Sequence, residues 1–216
     1  GIRKIDQAVE LARLATELNG IVFKGVMSHQ DNDPDTNAAN RHISARREIQ
    51  KCLDVRDAIV NAGIPVEVVS TGETYSYSTA PEFPNVTEVE GGTYALMSTG
   101  WQVFCPEFAI ANKVLATVIS TPRPGIAVVD AGWQAATLPM GIAPTVEGMP
   151  EIVIENTTAD HSVLSHKGHM PLSLGDQVML LPWYQDQLIN RWDTYIAVRD
   201  GVVEQVWDVS ARGCYH

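Results

Sequence analysis

The sequence predicts an α/β chain that turns into a β chain: part of a β/α barrel over residues 1–104, with about three barrel strands, then a mostly antiparallel β-domain over residues 105–216. Three observations predict this. Helical and strand-like patterns alternate with short connections through roughly the first hundred residues. After residue 105 strand-like runs follow one another without long helices between them. Asp200-Gly201 then joins two such runs with a strong type I′ hairpin signal.

Each element has its own reason. Ile5, Ala8, Val9, Ala12 and Ala15 recur at helical spacing, so residues 2–18 read as an amphipathic helix, and Asn19-Gly20 stops it. Ile21–Met27 is an apolar run of strand length. Ser28–Arg41 is polar and rich in Asn and Asp, which reads as a loop. A second helix is expected over 43–62, with Ile49, Cys52, Leu53, Arg56, Ile59 and Val60 on one face and Gly63 and Pro65 ending it. Val66–Ser70 is the next strand and Thr87–Tyr94 a third. The later strand-like runs are Val114–Ser120, Ile126–Asp130, Ile152–Glu155, Gln177–Leu181, Tyr195–Arg199 and Val202–Trp207. No internal repeat or low-complexity tract interrupts them. A closed β/α barrel needs about eight strands, so the expectation is that another polypeptide segment supplies the rest.

Composition narrows the partners. The 216 residues carry 26 acidic against 15 basic side chains, a formal net charge of -11. Nucleic acid and anionic membrane both need clustered Lys and Arg, so neither is expected. No apolar run is long enough to span a bilayer. A small phosphorylated cofactor stays open, because backbone N–H groups hold phosphate whatever the net charge. Cys52, Cys105 and Cys214 make no disulfide framework; Cys52 falls on a helical apolar stripe, and Cys214 is a tail thiol beside Tyr215 and His216. Asn85-Val86-Thr87 and Asn156-Thr157-Thr158 fit the glycosylation sequon, which leaves a secretory route open beside the cytoplasmic one.

Two loops could carry chemistry. Ser70-Thr71-Gly72-Glu73-Thr74 follows a strand and is rich in small and hydroxyl residues, which suits either an anion or an ordinary turn. Gly91-Gly92, before Thr93 and Tyr94, would let a ligand approach the backbone closely. His29 ends the first strand, at the rim where barrel enzymes place their sites, and a structural role is the alternative. The lysines are Lys4, Lys24, Lys51, Lys113 and Lys167, of which only Lys24 falls on an expected barrel strand.

The last stretch is the most specific. It runs Leu174-Gly175-Asp176-Gln177-Val178-Met179-Leu180-Leu181-Pro182, then Asn190-Arg191-Trp192-Asp193, Val198-Arg199-Asp200-Gly201-Val202-Val203-Glu204, Trp207 and Ala211-Arg212-Gly213. This resembles the C-terminal β-domain of the D-threonine aldolase/D-serine dehydratase family, fold-type III pyridoxal-phosphate enzymes with an alanine-racemase-like barrel. The resemblance implies a lyase that cleaves D-β-hydroxy-amino acids by retro-aldol reaction or β-elimination. It implies pyridoxal 5'-phosphate as cofactor, and a cofactor lysine on an N-terminal half-barrel polypeptide that acts as partner. A homo-oligomer and a small amino-acid substrate are implied with it.

The resemblance also assigns residues. Ser70, Gly72, Glu73 and Thr74 match a Ser-Gly-Gly-Gly-Thr-like phosphate loop in which Thr71 and Glu73 replace glycines. Gly92, Thr93 and Tyr94 match the second half of that cradle, within Thr87-Glu88-Val89-Glu90-Gly91-Gly92-Thr93-Tyr94. Glu90 falls near the place where alanine racemases set an arginine beside the pyridine nitrogen. His29 matches a catalytic histidine, with Met27 where the family has tyrosine. The family's divalent cation, Zn or Mn, is held by a Pro-x-His-x-Cys/Asp segment. Here that segment is Pro182-Trp183-Tyr184-Gln185-Asp186, so the metal candidates are Asp186 and His161, with His166 and His169 nearby. Tyr184 replaces the ligand histidine. That leaves two further readings open: a metal-free racemase-like enzyme with Tyr184 as proton carrier, and a degenerate non-enzymatic cofactor-binding or assembly module.

Overall fold

The computed structural model describes residues 1–29 and 35–214. The chain divides into two compact units, residues 1–94 and 95–216. No helix among the described residues is long and apolar enough to cross a membrane.

The first unit runs α1 (Ile5–Glu17), β1 (Gly25–Ser28), α2 (Ala38–Asn61) and β2 (Val68–Thr71). β1 and β2 pair in parallel, with Gly25 opposite Val68 and Ser28 opposite Thr71. Helix between parallel strands is the expected β/α unit. One face of α2 buries Ile49, Cys52 and Leu53 against Val69 and Ala80. Farther along α2, Ile59 meets Ala12 of α1 and Ile64. Elsewhere on α1, Ile5, Leu11 and Leu14 are exposed, as is Leu18 just after it.

Three expectations are corrected here. β1 begins at Gly25 rather than Ile21; Lys24 O already accepts from the N–H groups of Glu67 and Val68, but residues 21–24 join no strand among the described residues. Helix α2 starts at Ala38, inside the stretch expected to be loop, because the Asn37 side chain accepts from Ala39 and Asn40 N–H and caps it. The rest of that expected loop includes residues 30–34, which lie outside the described residues, as do Tyr215 and His216. The third barrel strand is reduced to a single parallel bridge, Ser70 to Glu88, since Gly91 and Gly92 come only three and four residues later and weaken any ladder.

In the second unit six strands form one antiparallel sheet: β3 (Val114–Arg123), β4 (Ile126–Val129), β5 (Thr145–Val146), β6 (Val153–Thr157), β7 (Ser162–Ser165) and β8 (Gln177–Leu181), in the order β5-β8-β3-β4-β7-β6. Alternate residues point to one core: Val114, Ala116 and Val118 from β3, Ala127 and Val129 from β4, Leu164 from β7, and Val178 and Leu180 from β8. Among the described residues, β9 (Thr194–Arg199) and β10 (Val202–Asp208) pair only with each other. Asp200 and Gly201 both adopt positive φ, 51° and 77°, as a type I′ turn requires. The helices of this unit have four or five residues, so the sheet dominates it.

Leu164 is fully buried at the centre of that core. Truncation to Ala leaves a cavity that β-sheet neighbours cannot close, so Leu164→Ala should cost about 3 kcal/mol. Urea unfolding would show it, and an unchanged midpoint would remove Leu164 from the core.

Among the described residues the three cysteines form no disulfide; Cys52 and Cys105 are buried and Cys214 is exposed. Burial pushes the Cys52 thiol up, a hydrogen bond with Ser28 opposes this, and the Glu90 charge adds to it. Burial likewise pushes the Tyr195 phenol up. The folded chain therefore keeps these protons longer than the unfolded chain does. Their contribution is complete below the unfolded thiol value of about 8.5 and is lost as pH rises through the raised folded values. Urea midpoints should fall steadily above about pH 9, and Cys52→Ala should flatten the decline. A wild-type profile level from pH 8 to 10 would contradict this.

Candidate functional site

The C-terminal ends of β1 and β2 carry a set of short polar side chains. Because Ser28 and Thr71 are register partners, their hydroxyls meet at 2.8 Å. The Cys52 thiol lies against Ser28, and the Glu90 charge reaches it. Glu90 Oε1 is buried and has no hydrogen-bond partner among the described residues.

Around this set, the two loops expected to form a cradle are tied together. Thr71 N–H donates to Glu88 O at 3.1 Å, and Glu90 N–H to Gly72 O at 3.3 Å. Tyr94 N–H donates to Thr74 Oγ1 at 3.1 Å. Gly72 holds φ at 95°, and a Cβ there would lie 3.3 Å from both Ala80 Cβ and Val89 Cγ1, so glycine suits this turn. A Cβ on Gly92 would meet nothing within 4 Å. The N–H groups of Gly91, Gly92 and Thr93 take no acceptor among the described residues. Three successive uncommitted amides, with open space beside Gly92 and the Tyr94 ring against Gly91, are what an anion cradle offers.

Glu73 behaves differently from a glycine. Its side chain accepts from Ser76 N–H while Ser76 Oγ accepts from Glu73 N–H at 2.9 Å, a reciprocal capping box. The carboxylate is thus folded back into its own loop, 6% exposed. This answers the problem of an acid in a phosphate loop, and it also commits the Glu73 amide. Ser70 is half-buried at the end of β2, and Thr93 is half-buried after the two glycines. Tyr94 is half exposed, and its own amide is used by Thr74.

His29 follows β1 with an exposed side chain, and no hydrogen bond ties it to the two loops among the described residues. Lys24 is exposed and paired with Glu67 at 2.7 Å. The sequence reading missed Ser28, Thr71 and Cys52 as a group, since only the register of two strands far apart in sequence reveals that they touch.

In the second unit, Tyr184 Oη donates to Asp186 Oδ2 at 2.8 Å. That bond, then burial, then the carboxylate charge push the phenol above its ordinary range. Trp101 and Trp183 flank the Tyr184 ring, each with centroids at 6.2 Å. The segment is pinned from below: Thr99 N–H donates to Pro182 O at 3.0 Å and Gly100 N–H to Trp183 O at 3.1 Å. Asp186 also lines an open depression with Gln187, Asn190 and Arg191. His161 is exposed in the turn between β6 and β7, its N–H donating to Thr158 Oγ1. His166 Nδ1 accepts from Gly168 N–H, and His169 is exposed. Among the described residues no three His, Cys, Asp or Glu side chains gather as a cation would need.

The model of a putative serine dehydratase domain matches residues 111–198. A 3-hydroxy-D-aspartate aldolase of Paracoccus denitrificans is 30% identical over 99% of this chain and 57% of its own length. The structure of a D-threonine aldolase from Filomicrobium marinum superposes with a TM-score of 0.91 at 27% identity, over 100% of this chain and 60% of that one. An alanine racemase of Clostridium difficile shares the fold alone, at 14% identity and a TM-score of 0.63 over 94% of this chain and 64% of its own. The chain thus spans little more than half the length of the curated relatives it matches.

Proposed function

We propose that this chain, which belongs with the D-threonine aldolase/D-serine dehydratase-like proteins and matches their C-terminal portion, is part of a pyridoxal-phosphate lyase acting on D-β-hydroxy-amino acids. The observation that carries the reading is the joined pair of loops at 70–74 and 88–94, with the Gly91, Gly92 and Thr93 amides uncommitted among the described residues and open space beside Gly92.

The residues present fit the cofactor. The three amides would hold its phosphate, with the Ser70 and Thr74 region and Tyr94 closing the cradle. Glu90, whose buried oxygen lacks a partner, would stand at the ring nitrogen and keep it protonated. When bound, the cofactor supplies an electron sink for the carbon whose bond is broken. His29 and Tyr184 are the side chains proposed to move protons.

The cofactor lysine is proposed to come from outside this chain. Lys24 points to solvent and is spent on Glu67; Lys51 is paired with Glu48 and Lys113 with Glu147. The partner is then a half-barrel polypeptide that supplies that lysine. The aldolases among the relatives favour retro-aldol cleavage over β-elimination. A racemase-like reaction is the second reading, favoured by a protonated phenol at Tyr184 where the family has a histidine.

The test is to purify the 216-residue chain, add pyridoxal phosphate, and assay borohydride trapping and turnover of D-threonine and D-serine, with and without the N-terminal half of a full-length relative. The expected result is reversible cofactor binding by the chain alone, and turnover to glycine and an aldehyde only with the added half. Cofactor trapped on Lys24 with turnover by the chain alone would overturn the assignment. Racemised product without cleavage would move it to the second reading.

A further inference from the structure

The family's divalent cation has a defined place in this chain, and the residues there do not fit it. We infer that the Pro182–Asp186 segment binds no divalent cation, because Tyr184 and Asp186 form a closed hydrogen-bonded pair where an ion would need two ligands. This rests on the reading that the segment is the counterpart of the family's cation-binding stretch.

The geometry makes the argument. The phenol proton points into Asp186 Oδ2 at 2.8 Å. A neutral phenol offers a cation no charge, and its proton points at the carboxylate oxygen that an ion would share. The pair cannot easily open. Trp101 and Trp183 pack beside the ring. The backbone under it is fixed by Thr99 and Gly100, and Gly100 lies so close that a Cβ would fall 2.6 Å from Trp183 O. Nor does His161 stand in for an imidazole beside Asp186: its side chain is exposed, and it belongs to no cluster of three His, Cys, Asp or Glu side chains among the described residues. His166 uses Nδ1 to accept from Gly168. Asp186 is left as a single carboxylate at the surface.

The readout is the cation alone, so it does not depend on cofactor or turnover. Titrate the chain with Mn2+ followed by electron paramagnetic resonance, and repeat with Tyr184→His, Asp186→Asn and the double variant, checking each fold by near-ultraviolet circular dichroism. The wild-type chain should show no stoichiometric Mn2+. Weak uptake by its acidic surface that Asp186→Asn leaves unchanged counts with this result. Tyr184→His replaces the proton donor by an imidazole two residues from the carboxylate, and should tighten Mn2+ binding at least about tenfold. Adding Asp186→Asn should abolish the gain. One Mn2+ bound by the wild-type chain and lost in Asp186→Asn overturns the inference. So does a folded Tyr184→His chain that gains nothing, since the tyrosine would then not be what excludes the ion. Failure of the lyase reading would appear instead as absent cofactor binding.

Discussion

Gly25→Ala should destabilise the first unit by about 3 kcal/mol or more, a larger loss than typical overpacking causes. A Cβ on Gly25 would fall 1.8 Å from Val68 O and 2.9 Å from Val68 Cα. Those are backbone atoms, so no rotamer change relieves the overlap. The neighbouring linkage is equally fixed, because Lys24 O accepts from both Glu67 and Val68. Alanine must therefore push β1 and β2 apart, and the Ser28–Thr71 contact goes with them. Gly63→Ala is the control: it sits at φ 83° with nothing near its Cβ, and should cost only about 1 kcal/mol. Urea unfolding of the two variants side by side decides it. A wild-type midpoint for Gly25→Ala would mean that the two strands are not paired as described.

Gly92→Trp should lower the affinity for pyridoxal phosphate about 100-fold, equivalent to roughly 2.7 kcal/mol, while leaving stability nearly unchanged. The contrast follows from the open space beside Gly92, where an added Cβ meets no atom within 4 Å: an indole built outward from there crowds the volume next to the uncommitted amides. Fluorescence titration with the cofactor, beside a thermal melt, separates the two effects. Undiminished binding in a folded Gly92→Trp chain would move the phosphate elsewhere. A wild-type chain that binds no cofactor would sink the cradle itself.

Much of the fold was legible because its signals are local. The apolar stripe Ile49, Cys52, Leu53, Ile59 gave α2, and the strand-like run Gln177–Leu181 gave β8 with its ends correct. Asp200-Gly201 gave the hairpin, since few other residues accept two successive positive φ values. The losses are also physical. β7, Ser162–Ser165, was missed because two of its four residues are serines, and only its place between β4 and β6 makes it a strand. The start of α2 hid in a polar run whose helical state depends on one capping side chain, Asn37. At the candidate site the glycines could be read directly. The roles of Glu73 and Tyr184 could not, because each depends on whether a side chain turns toward a ligand or toward a neighbour two or three residues away.

The hairpin β9–β10 carries a different consequence. Ile196, Val198, Val203 and Val206 are all more than half exposed, and among the described residues neither strand pairs with the six-stranded sheet. A two-stranded ribbon without a covered apolar face has little to hold it beyond its turn and its ladder. Its amide protons should therefore trade with deuterium through local opening, long before the rest of the second unit unfolds. In that respect the ribbon behaves as a separate thermodynamic compartment. Any macromolecule that settled on its valines and isoleucine would announce itself first as slowed exchange at those few positions.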